Sequence, residues 1–136
     1  MPAPKNFEDA LYNILVNTSG IGSKVSTRIY PDRAPDGTVT DYIVFQLVTG
    51  NRDQSHDSAA SLTTQRFQID CMSATPAGAK WLASLVKDAL HGYTGTPVGG
   101  GVTVQYCNAF DGPSGFSETT KVYRRIVEIV AMFAEP

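Results

Sequence analysis

The residues most able to do chemistry in this sequence are few and scattered. His56, Asp57 and Ser58 have the residue types of a catalytic triad. Three adjacent residues, however, cannot place nucleophile, base and orienting carboxylate in mutual hydrogen-bond geometry. They also fall within a long polar segment, residues 50–64, that offers no rigid element to support them. We therefore predict no catalytic site here, and interpret the segment as a surface loop that is either solvated or ordered by contact with a partner.

Other candidate groups are better explained by structure than by chemistry. The Gly-Ile-Gly at 20–22 follows a predicted helix instead of opening one and lacks a phosphate-binding lysine. His91 stands at a predicted helix end, where histidine interacts favourably with the helix dipole. Arg124 and Arg125 are adjacent on a predicted strand, so they face opposite sides and form no single phosphate-binding patch. No zinc, nucleotide-binding or paired-carboxylate motif appears. We predict no catalytic residue, cofactor or metal site.

Composition excludes several classes of protein. The 136 residues suit one domain, taken here as residues 1–136, and the net charge of −2 with a pI near 5.6 offers no footprint for nucleic acid. No apolar run approaches the ~20 residues that span a bilayer. The amino-terminal residues lack the apolar stretch of a signal peptide, which indicates synthesis in a cytosol. Cys71 and Cys107 match no metal or redox spacing and are expected to be buried free thiols.

The chain is organised around residues 66–90, which predict a strand, a helix cap and a helix. Phe67, Ile69 and Cys71 alternate with polar residues, the pattern of a strand with one buried face. Thr75-Pro76 is typical of a helix start. The apolar stripe of the helix is expected to consist of Leu82, Leu85, Val86 and Ala89, with Gly92 just beyond its end.

The remaining elements complete an α+β pattern. A first helix is capped by Asn6 and ends near Thr18, and turn residues occupy 19–23. Strands are predicted at 25–30, 42–49, 102–110 and 121–133, with an irregular connection at 31–41, the loop at 50–64 and a turn at 111–115. The order α-β-β-β-α-β-β predicts a mainly antiparallel sheet of about five strands with both helices packed on one face.

The last predicted strand is apolar on both of its faces. One face is expected to be core: Tyr123, Val127, Ile129, Ala131 and Phe133. A solvated face would not carry the apolar residues of the opposite set. That opposite set is Val122, Arg124, Ile126, Glu128, Val130 and Met132, of which the last five are candidate interface residues. We interpret this second face as a contact with another chain or with a further helix.

Three stretches, in this order and spacing, resemble one protein family. They are RIYPDRAPDGTVTDYIVFQLV at 28–48, RFQIDCMSATPAGAKWLASLVKDAL at 66–90 and YRRIVEIVAMF at 123–133. Together they resemble the tail-completion proteins of long-tailed bacteriophages, also called tail-to-head joining or tail terminator proteins. The resemblance extends from the first helix to the last strand.

The resemblance implies a structural protein, without enzyme activity, at the head-proximal end of the virion tail. It would cap the tail tube, stop polymerisation and dock the head connector as a ring, typically a hexamer, after synthesis in the host bacterial cytoplasm. Its partners would be further copies of itself, the tail tube protein and the connector, with no membrane and no specific nucleic acid. The alternatives are another connector or tube subunit of the same particle, or a small hydrolase or nucleic-acid-binding module.

The interface hypothesis covers three groups of residues. The first is the second face of the last strand, defined above. The second is the set of polar residues on the central strand, and the third lies in the 50–64 segment. The members of the second and third groups are Arg66, Gln68, Asp70, Asn51, Arg52, Asp53, His56 and Asp57.

Overall fold

The computed structural model describes residues 7–33, 41–53, 62–97, 102–117 and 122–134. These residues form three helices, α1 (Phe7–Val16), α2 (Ser19–Val25) and α3 (Pro76–Leu90). The strands are β1 (Ile29–Pro31), β2 (Tyr42–Asp53), β3 (Leu62–Ser73), β4 (Thr103–Ser117) and β5 (Val122–Ala134). No helix among the described residues is long and apolar enough to cross a membrane.

The five strands form a single sheet in the order β1-β2-β3-β5-β4. Only β1 and β2 run parallel, and every other neighbouring pair is antiparallel. The predicted α+β class and the mainly antiparallel sheet are therefore confirmed. The sequence left the strand order open, and the structure places the closing strand β5 between β3 and β4.

All three helices cover the same face of the sheet. The core consists of alternate residues of β3 and β5, such as Phe67 and Ile129, packed against helical residues such as Leu11 and Leu82. At its centre the ring of Phe7 lies 5.4 Å from that of Phe67 and 5.1 Å from that of Phe133. The predicted core face of β5 between Val127 and Phe133 is confirmed, and α1 buries Phe7, Leu11, Ile14 and Leu15 against it.

The central strand and helix form as predicted. Thr75 is the N-cap of α3, where its Oγ1 accepts a hydrogen bond from the Gly78 amide at 3.0 Å. Pro76, which has no N–H to leave unpaired, occupies the first turn. At the other end Gly92 adopts a φ of +78°, a conformation that glycine reaches without steric cost.

The predicted turn at 19–23 is wrong, because these residues form helix α2. Ile21 and Val25, four residues apart, are completely buried in the core. Gly20 lies close to α3, since a Cβ at this position would sit 3.2 Å from Leu85 Cδ2. Burial of two side chains and close helix packing outweigh the low helix propensity of the two glycines. The helix also uses part of the predicted strand at 25–30, which shortens to β1.

The β2–β3 hairpin is longer than predicted. Residues 50–53 of the expected loop continue β2 and residues 62–64 begin β3, with Arg52 opposite Thr63 and Asp53 opposite Leu62. Thr63 is only 5 % exposed, although its position in a polar run suggested a loop. Backbone pairing with β5, which carries Phe133 opposite Thr63, explains the extension. The predictions for Asn6, Asp36-Gly37, His56 and Asp57 lie outside the described residues.

Strand β4 continues through the predicted turn at 111–115, which is therefore wrong. Gly112 and Pro113 together oppose Ile126, an arrangement that accommodates one extra residue as a bulge. Proline is tolerated here because β4 is an edge strand and the bulge requires no ladder hydrogen bond from it. Gly112 leaves the space that Ile126 fills, since a Cβ on Gly112 would lie 2.8 Å from Ile126 Cγ2.

A second irregularity in β4, at Gln105, changes which residues face the core. Val104 pairs with Phe133 and Tyr106 with Met132, so one residue is passed over. Val104 is consequently buried, whereas Tyr106 is 47 % exposed and Cys107 takes the buried position. The regular alternation expected of the predicted strand at 102–110 therefore ends at Val104.

Candidate assembly interface

The face of the sheet opposite the helices, termed the open face, collects most of the predicted interface residues. Strands expose alternate residues on alternate faces, so the neighbours of the buried positions of β3 and β5 point away from the helices. The open face consists of Tyr30, Val44, Gln46, Arg66, Gln68, Asp70, Met72, Tyr106, Asn108, Phe110, Arg124, Glu128, Val130 and Met132.

Two residue groups that the sequence suggested separately lie side by side on this face. Adjacent strands β3 and β5 place Arg66 opposite Val130, and Gln68 opposite Glu128. The predicted interface residues of the central strand and of the last strand thus form one surface. Strand order is a property of the tertiary fold, so the sequence pattern of either strand alone could not reveal this arrangement.

Charged and polar residues at the centre of the open face form two groups of contacts, one around Arg66 and one around Asp70. Arg66 Nη2 lies 3.2 Å from Glu128 Oε1, and the same guanidinium lies 5.2 Å from the centroid of the Phe110 ring. Gln68 donates to Asp70 at 3.0 Å, and Arg124 lies 3.9 Å from the other Asp70 oxygen. Because these groups are partly exposed, the ion pairs contribute little to folding. Their main effect is to fix the positions of the side chains.

The hydroxyl of Tyr42, close to Asp70, has a raised pKa. Tyr42 lies opposite Met72, beside Asp70 on the neighbouring strand, and is 7 % exposed. Burial raises the pKa of its hydroxyl, and the negative charge of Asp70 adds to the effect. Both effects favour the neutral form of the hydroxyl.

The apolar part of the open face runs along β5 and β4. Tyr106 lies opposite Met132, and Phe110 lies opposite Glu128. Tyr106 and Phe110 are 47 % and 37 % exposed, and Val130 and Met132 are half-buried. Sequence analysis missed both aromatic residues, because regular alternation places them on the same side as Val104 and only the irregularity at Gln105 turns them to this face.

Ile126 belongs to the predicted interface but is covered by its own chain. It is 5 % exposed and packs beneath the bulge at Gly112. A substitution at Ile126 would therefore disturb packing within the monomer. Substitution of Ile126 is therefore unsuitable as a probe of assembly, which is better tested at the exposed residues of the open face.

The predicted loop residues are divided by the structure. Asn51, Arg52 and Asp53 belong to β2, where their backbones pair with residues 62–64 of β3. His56 and Asp57 lie outside the described residues.

The other candidate groups have structural roles. His91 accepts a hydrogen bond at Nδ1 from the Ala109 amide, 3.1 Å away. It thereby gives a partner to one backbone N–H of the edge strand β4. Cys71 and Cys107 are buried free thiols, as predicted. Burial raises the pKa of Cys107 to about 11 and that of Cys71 as well, so neither is a reactive thiolate at neutral pH. Among the described residues no group of three or more His, Cys, Asp and Glu side chains could hold a metal ion.

Arg124 and Arg125 are consecutive residues near the start of β5. Both line one cavity at the end of the sheet, where β5 begins and α3 starts. The predicted alternation holds, since Arg124 lies opposite Met72 on the open face and Arg125 lies opposite the buried Cys71.

Comparison with known proteins gives one family and several structures of similar fold. The family described as tail completion protein gp17 matches residues 9–134. A chain from the virion of a native gene transfer agent particle is similar with a TM-score of 0.70 and 20 % identity over 93 % of both chains. A second solved chain, whose name states no function, has a TM-score of 0.52 and 12 % identity over 95 % of both chains. At these identities the two structures show similarity of fold. No curated protein sequence matches.

Proposed function

The chain belongs to the tail completion protein gp17 family, and from this premise we propose that it caps the head-proximal end of the tail tube, stops tube polymerisation and presents the docking surface for the head connector. Membership of this family makes it a structural protein of the phage tail, located in the virion. The terminator role and its partners, the tube protein and the connector, are the proposal.

The proposed assembled form is a closed ring of identical subunits, with six as the expected number. A head-to-tail contact between copies either closes into a ring or grows as a filament. A terminator requires closure and two different axial faces. We assign the open face to the contact between neighbouring subunits.

The observation that carries this assignment is the composition of the open face. Its Tyr106, Phe110, Val130 and Met132 form a continuous apolar band across β4 and β5 that the helices leave uncovered. Covering each aliphatic side chain would contribute at most about 1.5–3 kcal/mol. The group of contacts around Arg66 lies beside this band and would fix the register between subunits through charge complementarity.

The test introduces a negative charge at Tyr106, an exposed residue of the open face. Tyr106→Asp is expected to leave the fold and thermal unfolding of the isolated subunit nearly unchanged, because the side chain is 47 % exposed. It is expected to abolish ring formation, because a desolvated carboxylate without a partner is costly. Light scattering across concentration and negative-stain imaging, with and without tail tubes, measure assembly. Ser84→Asp, on the exposed side of α3, is the matched control.

The phenotype in the particle distinguishes a terminator from a tube subunit. Loss of a terminator gives overlong or headless tails, whereas loss of a tube protein gives no tails. Rings formed by Tyr106→Asp at the same concentration as the unchanged protein would contradict the interface. Absence of tails altogether in a lysate lacking the protein would contradict the terminator role.

We further propose that the segment between β2 and β3 takes part in assembly. The strand pairing determines which of its residues can be deleted without removing part of the sheet. Deleting residues 51–63 would remove paired strand residues, including the buried Thr63. Replacing only residues 54–61 with Asn-Gly would join Asp53 to Leu62 through a two-residue hairpin turn. We expect the variant to keep its thermal unfolding and to lose tail completion. Tails of normal length joined to heads by this variant would refute the role of the loop.

A further inference from the structure

A cavity of about 300 Å³ lies at the end of the sheet where α3 and β5 begin. It is bounded by the first turn of α3, the end of β4 and the start of β5. Its lining consists of Pro76, Ala79, Ser114, Gly115, Phe116, Tyr123, Arg124 and Arg125. The apolar band of Tyr106, Phe110, Val130 and Met132 contributes nothing to this lining, and Arg124 is the one lining residue that also belongs to the open face.

The charged residues of the cavity lining are basic. They are Arg124 and Arg125, and the lining includes no acidic residue. Arg124 approaches Asp70 only at 3.9 Å, and its side chain is 44 % exposed. Arg125 is exposed, and no acidic side chain among the described residues pairs with it. The cavity therefore has a basic residue on each side of β5, Arg124 on the open face and Arg125 on the face toward the helices.

The start of α3 lines the cavity but offers few free amide groups to an anion. Pro76 has no N–H, the Gly78 amide donates to Thr75 Oγ1, and the Ala79 amide donates to the Thr75 carbonyl. The helix amides are therefore largely satisfied within the chain. Recognition of an anion in this cavity depends on the arginines.

The rest of the lining is apolar and aromatic. The rings of Phe116 and Tyr123 lie 4.6 Å apart at an angle of 46°, and Phe116 is 41 % exposed. Pro76 and Ala79 form the opposite wall. A volume of this size is at the lower limit of ligand pockets and accommodates a side chain, not a folded domain.

We propose that this cavity binds an acidic peptide segment of a partner protein, in which a carboxylate stands next to an apolar side chain. The carboxylate would contact Arg125 and Arg124, since guanidinium groups bind carboxylates through paired, charge-assisted hydrogen bonds. The neighbouring side chain would lie against Phe116 and Tyr123. Nucleic acid fits this surface less well, because affinity for a phosphate backbone comes from many cations along a track.

The proposal is tested with two short peptides and nuclear magnetic resonance of the isotope-labelled protein. The probe is acetyl-Asp-Phe-Asp-amide, and its neutral match is acetyl-Asn-Phe-Asn-amide. We expect saturable shifts of the amide signals of Ala79, Gly115 and Phe116 with the acidic peptide, and binding weaker by about fivefold or more with the neutral one. Equal binding of the two peptides, or shifts confined to other residues, would overturn the proposal.

Variants separate the arginine contact from general charge. Arg125→Gln is expected to weaken binding of the acidic peptide by about fivefold or more, and Arg125→Lys to retain part of it, because lysine keeps the charge without the planar fork. Lys80→Gln, an exposed α3 residue outside the lining, removes the same charge and is expected to leave binding unchanged. An equal loss in Lys80→Gln would contradict the proposal.

Two further arms identify other occupants. Oligothymidylate that binds at the same residues more tightly than the acidic peptide would overturn the proposal in favour of nucleic acid. Shifts of the cavity residues on dilution of the protein alone would assign the cavity to a second copy of the chain and would equally overturn it. Neither result bears on Tyr106→Asp, so failure of this proposal is distinguishable from failure of the ring contact.

Discussion

Gly78→Ala tests the start of α3, where a helix and the sheet are joined through two hydroxyl groups. Gly78 is the third residue of α3, and its amide donates to Thr75 Oγ1. A Cβ at this position would lie 2.9 Å from Thr75 Oγ1, 3.2 Å from Ser73 Cβ, and in direct conflict with Ser73 Oγ. Ser73 is 3 % exposed, so its side chain has little room to move aside.

Two opposing effects decide the sign of this substitution. Alanine exceeds glycine in helix propensity by about 1 kcal/mol, which would favour the variant in an isolated helix. Overpacking costs about 1–3 kcal/mol, and loss of the Thr75 cap would cost about 0.5–2 kcal/mol more. The net expectation is destabilisation by about 2 kcal/mol, which lowers the unfolding temperature of a domain of this size by roughly 8 °C.

Urea and thermal unfolding measure the effect, and a double-mutant cycle identifies its cause. Removing the hydroxyl with Ser73→Ala is expected to reduce the cost of Gly78→Ala by more than about 0.5 kcal/mol, because the two residues are in contact. Ser84→Ala on the exposed side of α3 is the control for propensity. A Gly78→Ala protein as stable as the unchanged chain, or additivity with Ser73→Ala, would refute the packing described at the cap.

Three further substitutions or treatments test the core and its buried groups. Phe7→Ala removes the ring packed at 5.4 Å and 5.1 Å on two other rings and is expected to cost about 3–5 kcal/mol in urea unfolding; a cost below 1 kcal/mol would contradict the cluster. Burial, followed by the carboxylate of Asp32, raises the pKa of Glu8, so ionisation lowers stability as pH rises from about 4.3 through the raised value. Glu8→Gln should then be more stable than the unchanged protein at pH 7 and equal to it at pH 3, and the opposite sign would refute this. Cys71 and Cys107 should react with a thiol reagent at pH 8 only after denaturation, and reaction within minutes in the native state would contradict their burial.

The strand-helix unit at residues 66–90 illustrates what local sequence can determine. Its strand alternation, its Thr75-Pro76 cap and its terminal Gly92 depend on neighbouring residues alone. The structure reproduces each of them, with the cap hydrogen bond at 3.0 Å. Similarly, the core face of β5 can be predicted from the sequence, because buried and less buried residues alternate regularly from Val127 to Phe133.

The errors occur where distant contacts outweigh local preference. Residues 19–25 carry glycines typical of a turn, yet burial of Ile21 and Val25 against the core makes them helical. Gly112-Pro113 is typical of a turn, yet pairing with β5 retains it as a bulge over Ile126. In both cases the glycine permits close approach of another element, which a local pattern cannot distinguish from a chain reversal.

The sequence by itself determined the α+β class, the absence of recognisable catalytic motifs and, through three ordered stretches, the resemblance to tail-completion proteins. The tertiary structure alone decided that Arg66 and Gln68 lie beside Val130 and Glu128, and that Tyr106 and Phe110 extend that surface. It also decided that Arg124 and Arg125 share a cavity. The physical reason is that local propensity acts over a few residues, whereas strand order, bulges and cavities depend on contacts between residues far apart in the chain.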